Sequence, residues 1–211
     1  MKKIFFVGIL SILFVGVASA QPRIGITAGL NVSNLNESGP GSTSNDFKAG
    51  FQAGLVADFG ITESFSIMPE LLFGQRGAKT TITEEGISIN SSLTLNYLQL
   101  PVNLAYKFDT GYGSNLFVFA GPYIGYGLSA SMKGETKVEG TSVSASTSIK
   151  FGSEDEEIKP FDFGLNVGVG YQYEKIFFKL QFNPGLYNLS NVEGGSMKNT
   201  NVAVTVGYYI N

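Results

Sequence analysis

Apolar and polar side chains alternate with a period of two from Arg23 to Ser33. Ile24, Ile26, Ala28, Leu30 and Val32 fall on one face, and Arg23, Gly25, Thr27, Gly29 and Asn31 on the other. This is the pattern of a β-strand with two unlike faces. It returns with Ala49, Phe51, Ala53, Leu55, Ala57 and Phe59 against Lys48, Gln52, Gly54 and Asp58, then with Phe65, Ile67, Leu71 and Phe73 against Ser66, Met68, Glu70 and Arg76. Residues 78 to 95 alternate more weakly and read as two strand extensions around the tip Glu84-Glu85-Gly86. The apolar phase is odd at Leu93 and Leu95 but even at Leu98, Leu100, Val102, Leu104 and Tyr106. A bulge or a change of environment near Asn96 would explain that slip.

Further along, Leu116, Val118, Ala120, Ile124, Tyr126 and Leu128 share one face, with Phe117, Phe119 and Tyr123 among glycines on the other. Residues 129 to 160 read as the longest polar connection. The last three strands follow, on Phe161 to Tyr173, Ile176 to Leu186 and Val202 to Ile210. That makes eight strands, and the links between them strictly alternate long and short. An even strand number with short turns at one end and long loops at the other is the signature of an outer-membrane barrel. The expected fold is therefore all-β: an eight-stranded antiparallel up-and-down transmembrane β-barrel with short periplasmic turns and long external loops.

Hydrocarbon offers no water to an unpaired backbone group, so a sheet that spans a membrane must close on itself and turn its apolar face outward. The inward set here is largely Gly, Ser, Thr, Asn and Gln with a few charges, which suits the narrow interior of an eight-stranded barrel. The alternative is a secreted lipocalin-like barrel with its apolar face inward. Trp is absent from the chain, no amphipathic helix follows the strands, and both features speak for the membrane reading. Aromatics near the strand ends, with Phe59, Phe65, Tyr106, Phe108, Tyr173 and Tyr208 on the turn side and Tyr126 and Phe161 toward the other rim, are candidates for interfacial girdles.

The first residues add a destination. Lys2 and Lys3, the apolar run Ile4 to Val17 and Ala18-Ser19-Ala20 have the form of a secretory signal peptide, because the apolar run is shorter than the ~20 residues that cross a bilayer. The expected division is a leader over 1–20 and a barrel domain over 21–211, exported to the outer membrane of a Gram-negative cell envelope. The formal charge of −3 becomes more negative once the leader lysines are removed, which argues against nucleic acid as a partner. No Cys is present, so neither a disulfide nor a lipidated N-terminal cysteine is available.

His is absent as well. That removes the usual general base of hydrolytic triads and the commonest transition-metal ligand. No phosphate-binding Gly-rich loop with its Lys-Ser/Thr appears. The reading is of a protein without cofactor and not an enzyme. The acidic run Glu154, Asp155, Glu156 and Glu157 offers carboxylate oxygens to Ca²⁺, or serves as a solvated external loop. The inward charges Glu70 and Lys179 at mid-height, with Asp58, Arg76, Lys48 and Asp162 nearer the ends, are expected to form a polar network that plugs the lumen, because buried charges persist only when paired.

Several segments together resemble the PorT-like group of small outer-membrane barrels of Bacteroidota-type bacteria. They are Gly25-Ile26-Thr27-Ala28-Gly29-Leu30-Asn31-Val32-Ser33, Tyr97-Leu98-Gln99-Leu100-Pro101, Ala120-Gly121-Pro122-Tyr123, Asp162-Phe163-Gly164 with Gly168 and Gly170, and Gly185-Leu186-Tyr187-Asn188-Leu189. Gln99 stands where that group has Glu. The resemblance implies the barrel and its membrane, in a family of diverse roles that includes accessories of protein secretion. The expected partners are outer-membrane lipid, the barrel-assembly machinery and an envelope or extracellular protein met through the external loops. The expected state is a monomer, and the alternative function is a narrow pore for small solutes or ions.

Overall fold

The structure is a computed structural model that describes residues 22–39, 45–84, 87–138, 141–152 and 158–211. Residues 1–20, where a leader is expected, the acidic run 154–157 and the tip residues 85–86 lie outside the described residues. The strands are β1 (Arg23–Ser38), β2 (Asp46–Gly60), β3 (Phe65–Glu84), β4 (Ile87–Gly111), β5 (Ser114–Val138), β6 (Thr141–Ile149), β7 (Phe161–Tyr173), β8 (Ile176–Pro184) and β9 (Ser196–Tyr209). Every pairing among these named strands is antiparallel.

Eight strands close the ring. The order runs β1, β2, β3, β4, β5, β7, β8 and β9, and β9 pairs back onto β1. The ninth, β6, is outside the ring and, among the described residues, pairs with residues 130–138 of β5. The stretch read from sequence as one polar connection thus contains the last third of β5 and all of β6. Its Ser/Thr alternation is a real strand pattern, concealed because neither face is strongly apolar. β3 and β4 likewise continue together to Glu84 and Ile87, so β3, β4, β5 and β6 rise above the ring as a four-stranded flap.

The outward face of the ring carries a continuous apolar belt. Leu30 is 74% exposed and Val204 59%, and across β7, β8 and β9 the register aligns Val169, Leu180 and Val204, all outward. In water such a wall would be untenable. In hydrocarbon it is the favoured surface, with the backbone groups paired around the ring. Aromatic pairs mark both rims: Phe65 with Tyr106 and Tyr106 with Phe108 at the turn end, and Phe51 with Phe73 and Tyr126 with Phe161 at the loop end.

The phase slip near Asn96 has a two-part explanation. The bulge lies on the partner strand: β5 inserts Leu128 between Gly127, which faces Tyr97, and Ser129, which faces Asn96. β4 itself never changes phase. Leu95 and Tyr97 stay inward and fully buried because the upper lumen is apolar. A second irregularity, in the β2–β3 register between Phe47 and Gln52, is bridged from β1. Asn31 Nδ2 donates to the Gln75 carbonyl at 3.1 Å, and Gly77 N donates to Ser33 Oγ at 2.9 Å.

Candidate functional site in the lumen

The interior is filled in three layers, and only the middle one matches the expected polar filling. At the turn end, Phe117, Phe119, Phe177, Tyr209, Met68 and Val56 form an aromatic floor. Its rings lie against glycines on the neighbouring strand: Phe117 opposite Gly170, Phe119 opposite Gly168 and Phe177 opposite Gly207. A Cβ on any of these three glycines would run into the facing ring. Glycine on one strand makes room for an aromatic ring on the next, and the ring covers the bare backbone.

At mid-height, Glu70 of β3 and Lys179 of β8 meet across the lumen. Lys179 Nζ donates to both carboxylate oxygens, at 2.6 and 2.7 Å, and lies 5.7 Å from the ring centres of Phe119 and Phe177. Asn103 Nδ2 donates to Glu70 Oε1 at 3.2 Å, and the Asn103 Oδ1 accepts from Asn166 Nδ2 at 2.9 Å. Asn166 accepts in turn from Asn183, and Asn183 accepts from Asn201 Nδ2 at 3.0 Å. An amide relay thus runs from the carboxylate through β4, β7, β8 and β9. Each of the three inner amides both donates and accepts a hydrogen bond.

Nearer the loops, Arg76 Nη1 lies 3.3 Å from Asp162 Oδ2. The same carboxylate oxygen accepts from Tyr123 OH at 3.3 Å and Asn199 Nδ2 at 3.2 Å. Arg76 Nη2 donates to Gln99 Oε1 at 3.1 Å. Gln99, the neutral residue in the Tyr-Leu-Gln-Leu-Pro segment, therefore supplies an acceptor to the guanidinium without adding a second negative charge. Above this layer Leu35, Ala78, Leu95, Tyr97, Ala130, Ile158 and Leu189 close the mouth as an apolar cap.

Of the six inward charges singled out from sequence, four fall into these two cross-lumen pairs. Asp58 is paired too, but with a residue that was not anticipated: Lys107 Nζ lies 2.5 Å from Asp58 Oδ2 near the turn end. Lys107 has the inward phase of Gln99 and Asn103, so the signal was present in the alternation. Lys48 is buried beside Ser33 and Gly77 and has no ion pair among the described residues. The aromatic floor, the asparagine relay and the apolar cap were not singled out, and the acidic run 154–157 lies outside the described residues. Among the described residues no three His, Cys, Asp or Glu side chains are grouped to hold a metal ion.

A closed antiparallel ring with an apolar exterior and a packed, ion-paired interior defines an integral outer-membrane β-barrel. The family model for the outer membrane protein beta-barrel domain matches residues 19–191, and the chain belongs to that family. No curated protein matches it in sequence. Solved structures similar to it include Ail, the attachment invasion locus protein of Yersinia pestis, at 14% identity and a TM-score of 0.40, covering 90% of this chain and 99% of that one. Neisserial surface protein A is 10% identical with a TM-score of 0.47, covering 90% and 100% of the two chains. OprG from Pseudomonas aeruginosa is 11% identical with a TM-score of 0.48, covering 90% and 95%.

Proposed function

We propose that the barrel is plugged, and that it works as a structural or partner-binding element of the outer membrane through its loop end. The observation that carries this reading is the pair of buried ion bridges across the lumen, Glu70 with Lys179 and Arg76 with Asp162, held between an aromatic floor and an apolar cap. A path for ions would have to break charge pairs buried on both sides, and breaking such a pair is strongly unfavourable. The flap of β3 to β6 and the loop around residues 185–195 are then the surfaces left for an envelope or extracellular partner. The finer role implied by the PorT-like resemblance, an accessory of protein secretion, would use the same surfaces.

Planar-bilayer recording of the folded full-length protein tests the plug. The expected record has no discrete openings, and a large, stable single-channel conductance would overturn the proposal in favour of a narrow pore. Deleting Thr141–Ile149 tests the partner role. The barrel should remain heat-stable while crosslinking in intact cells loses a captured protein; an unchanged crosslinking profile would count against it.

A further inference from the structure

The outward face of β3, β4 and β5 changes character at one row. Gln75 Nε2 donates to Asn96 Oδ1 at 3.3 Å, and Asn96 Nδ2 donates to Ser129 Oγ at 2.9 Å. On the turn side of this row the outward positions of the three strands bear no charge. On the loop side, with the register of β3 on β4 unbroken, the same face carries Lys79 opposite Ser92, and Ser92 opposite Lys133. One row further on, Thr81, Asn90, Glu135 and Ser144 are aligned. The two lysines flank short side chains on β4, two strand spacings or about 10 Å apart, and the groove between them has a volume of about 570 Å³.

We propose that this groove binds the phosphate of a phosphorylated saccharide lipid in the surrounding leaflet. Three features point to that occupant. Lys79 and Lys133 have no ion pair among the described residues, whereas the nearby Glu135 is engaged by Lys137 at 3.4 Å. Thr81 Oγ1 donates to Asn90 Oδ1 at 3.0 Å, which leaves the Asn90 amide nitrogen as a donor to a phosphate or sugar oxygen. The third feature is height. Four residues of strand tilted by about 40° lift the lysine row about 10 Å above the amide row that ends the apolar belt. The ordinary headgroup zone is about 5–8 Å deep, so the lysine row stands above the phosphates of plain phospholipids. Phosphates mounted on a sugar headgroup meet the ammonium groups there.

The inference rests on the outer-membrane reading, so the first step is insertion into plain phosphatidylcholine vesicles. Failure to insert would overturn the membrane reading, and this site with it, before any glycolipid is added. Inserted protein is then exposed to vesicles doped with bisphosphorylated lipid A or with its dephosphorylated form. Lipid retained by the protein is counted by native mass spectrometry, and inorganic phosphate serves as a separate ligand. The wild type should retain the bisphosphorylated lipid roughly tenfold to thirtyfold better than a Lys79→Gln/Lys133→Gln variant. The dephosphorylated lipid and millimolar inorganic phosphate should bind neither protein measurably. Lys198→Gln, an exposed lysine on β9, should retain lipid like the wild type. Equal retention by wild type and double variant, equal retention of the two lipids, or saturable binding of free phosphate at the groove would each overturn the proposal.

Discussion

Lys179 and Glu70 are 109 residues apart in sequence, stand on strands that are not neighbours in the ring, and form a two-oxygen ion pair at the centre of the lumen. Lys179 is 2% exposed and Glu70 also 2%. Removing one partner strands the other charge in a site with no compensating ion, which costs about 3–5 kcal/mol. Lys179→Met should therefore lower the unfolding free energy of the barrel by that amount, read as a lower urea midpoint at unchanged slope. Glu70→Leu/Lys179→Met, which removes both charges, should recover most of the loss. A double variant as unstable as the single one would show that the pair is not the stabilised unit.

The aromatic floor makes a reciprocal prediction. Phe117 faces Gly170, and the ring occupies the space that a side chain at 170 would need. Gly170→Val should impair folding, as overpacking of a tight interior does, by about 1–3 kcal/mol. Phe117→Ala should cost about 3–5 kcal/mol through the cavity it leaves. In combination the two should be less damaging than their sum, because the valine fills part of the void. Strict additivity in heat-modifiability assays would contradict the contact.

Much of this architecture was legible from alternation alone, because in a membrane barrel the period-two rule applies to both faces with opposite chemistry. Ile24 to Val32 and Phe161 to Tyr173 needed nothing more. Where the rule failed to inform, the environment differed from the one assumed. Leu95 and Tyr97 point inward as apolar residues because the lumen above Arg76 is a small hydrophobic core rather than a polar channel. Ser142 to Ser148 looked like loop because β6 lies outside the membrane and needs no apolar face. Partner identity was less accessible still. Parity placed Asp58 inside the lumen, but which cation faces it depends on strand stagger, and Lys107 is brought there by the β4 register on β3.

The apolar belt can be mapped by single charges. Val204 faces outward near mid-height of the ring, so Val204→Arg should cost about 2–4 kcal/mol, the range for a cation near the bilayer midplane. Thr81 is exposed on the same outward face of the sheet, opposite Asn90, but lies on the flap beyond the amide row. Thr81→Arg should change stability by less than about 0.5 kcal/mol, as for an ordinary surface position. Equal penalties for the two would place the flap inside the bilayer and shift the boundary assigned to the Gln75, Asn96 and Ser129 row.

Closure at three heights in series has a consequence for permeability. Ions crossing the lumen would meet the floor of Phe117, Phe119 and Phe177, then the Glu70 and Lys179 layer, then the cap around Leu95 and Tyr97. The resistance of such a path is set by whichever layer remains intact, so opening one of them creates a vestibule and not a conduit. Leu95→Ala should cost about 2–5 kcal/mol of stability and leave planar bilayers silent, and Phe119→Ala should behave the same way. Conductance is expected only when layers are removed together, for instance by Leu95→Ala combined with Phe119→Ala, Glu70→Ala and Lys179→Ala. Discrete openings from the Leu95→Ala barrel alone would mean that the cap is the gate and that the charged layer beneath it already passes ions.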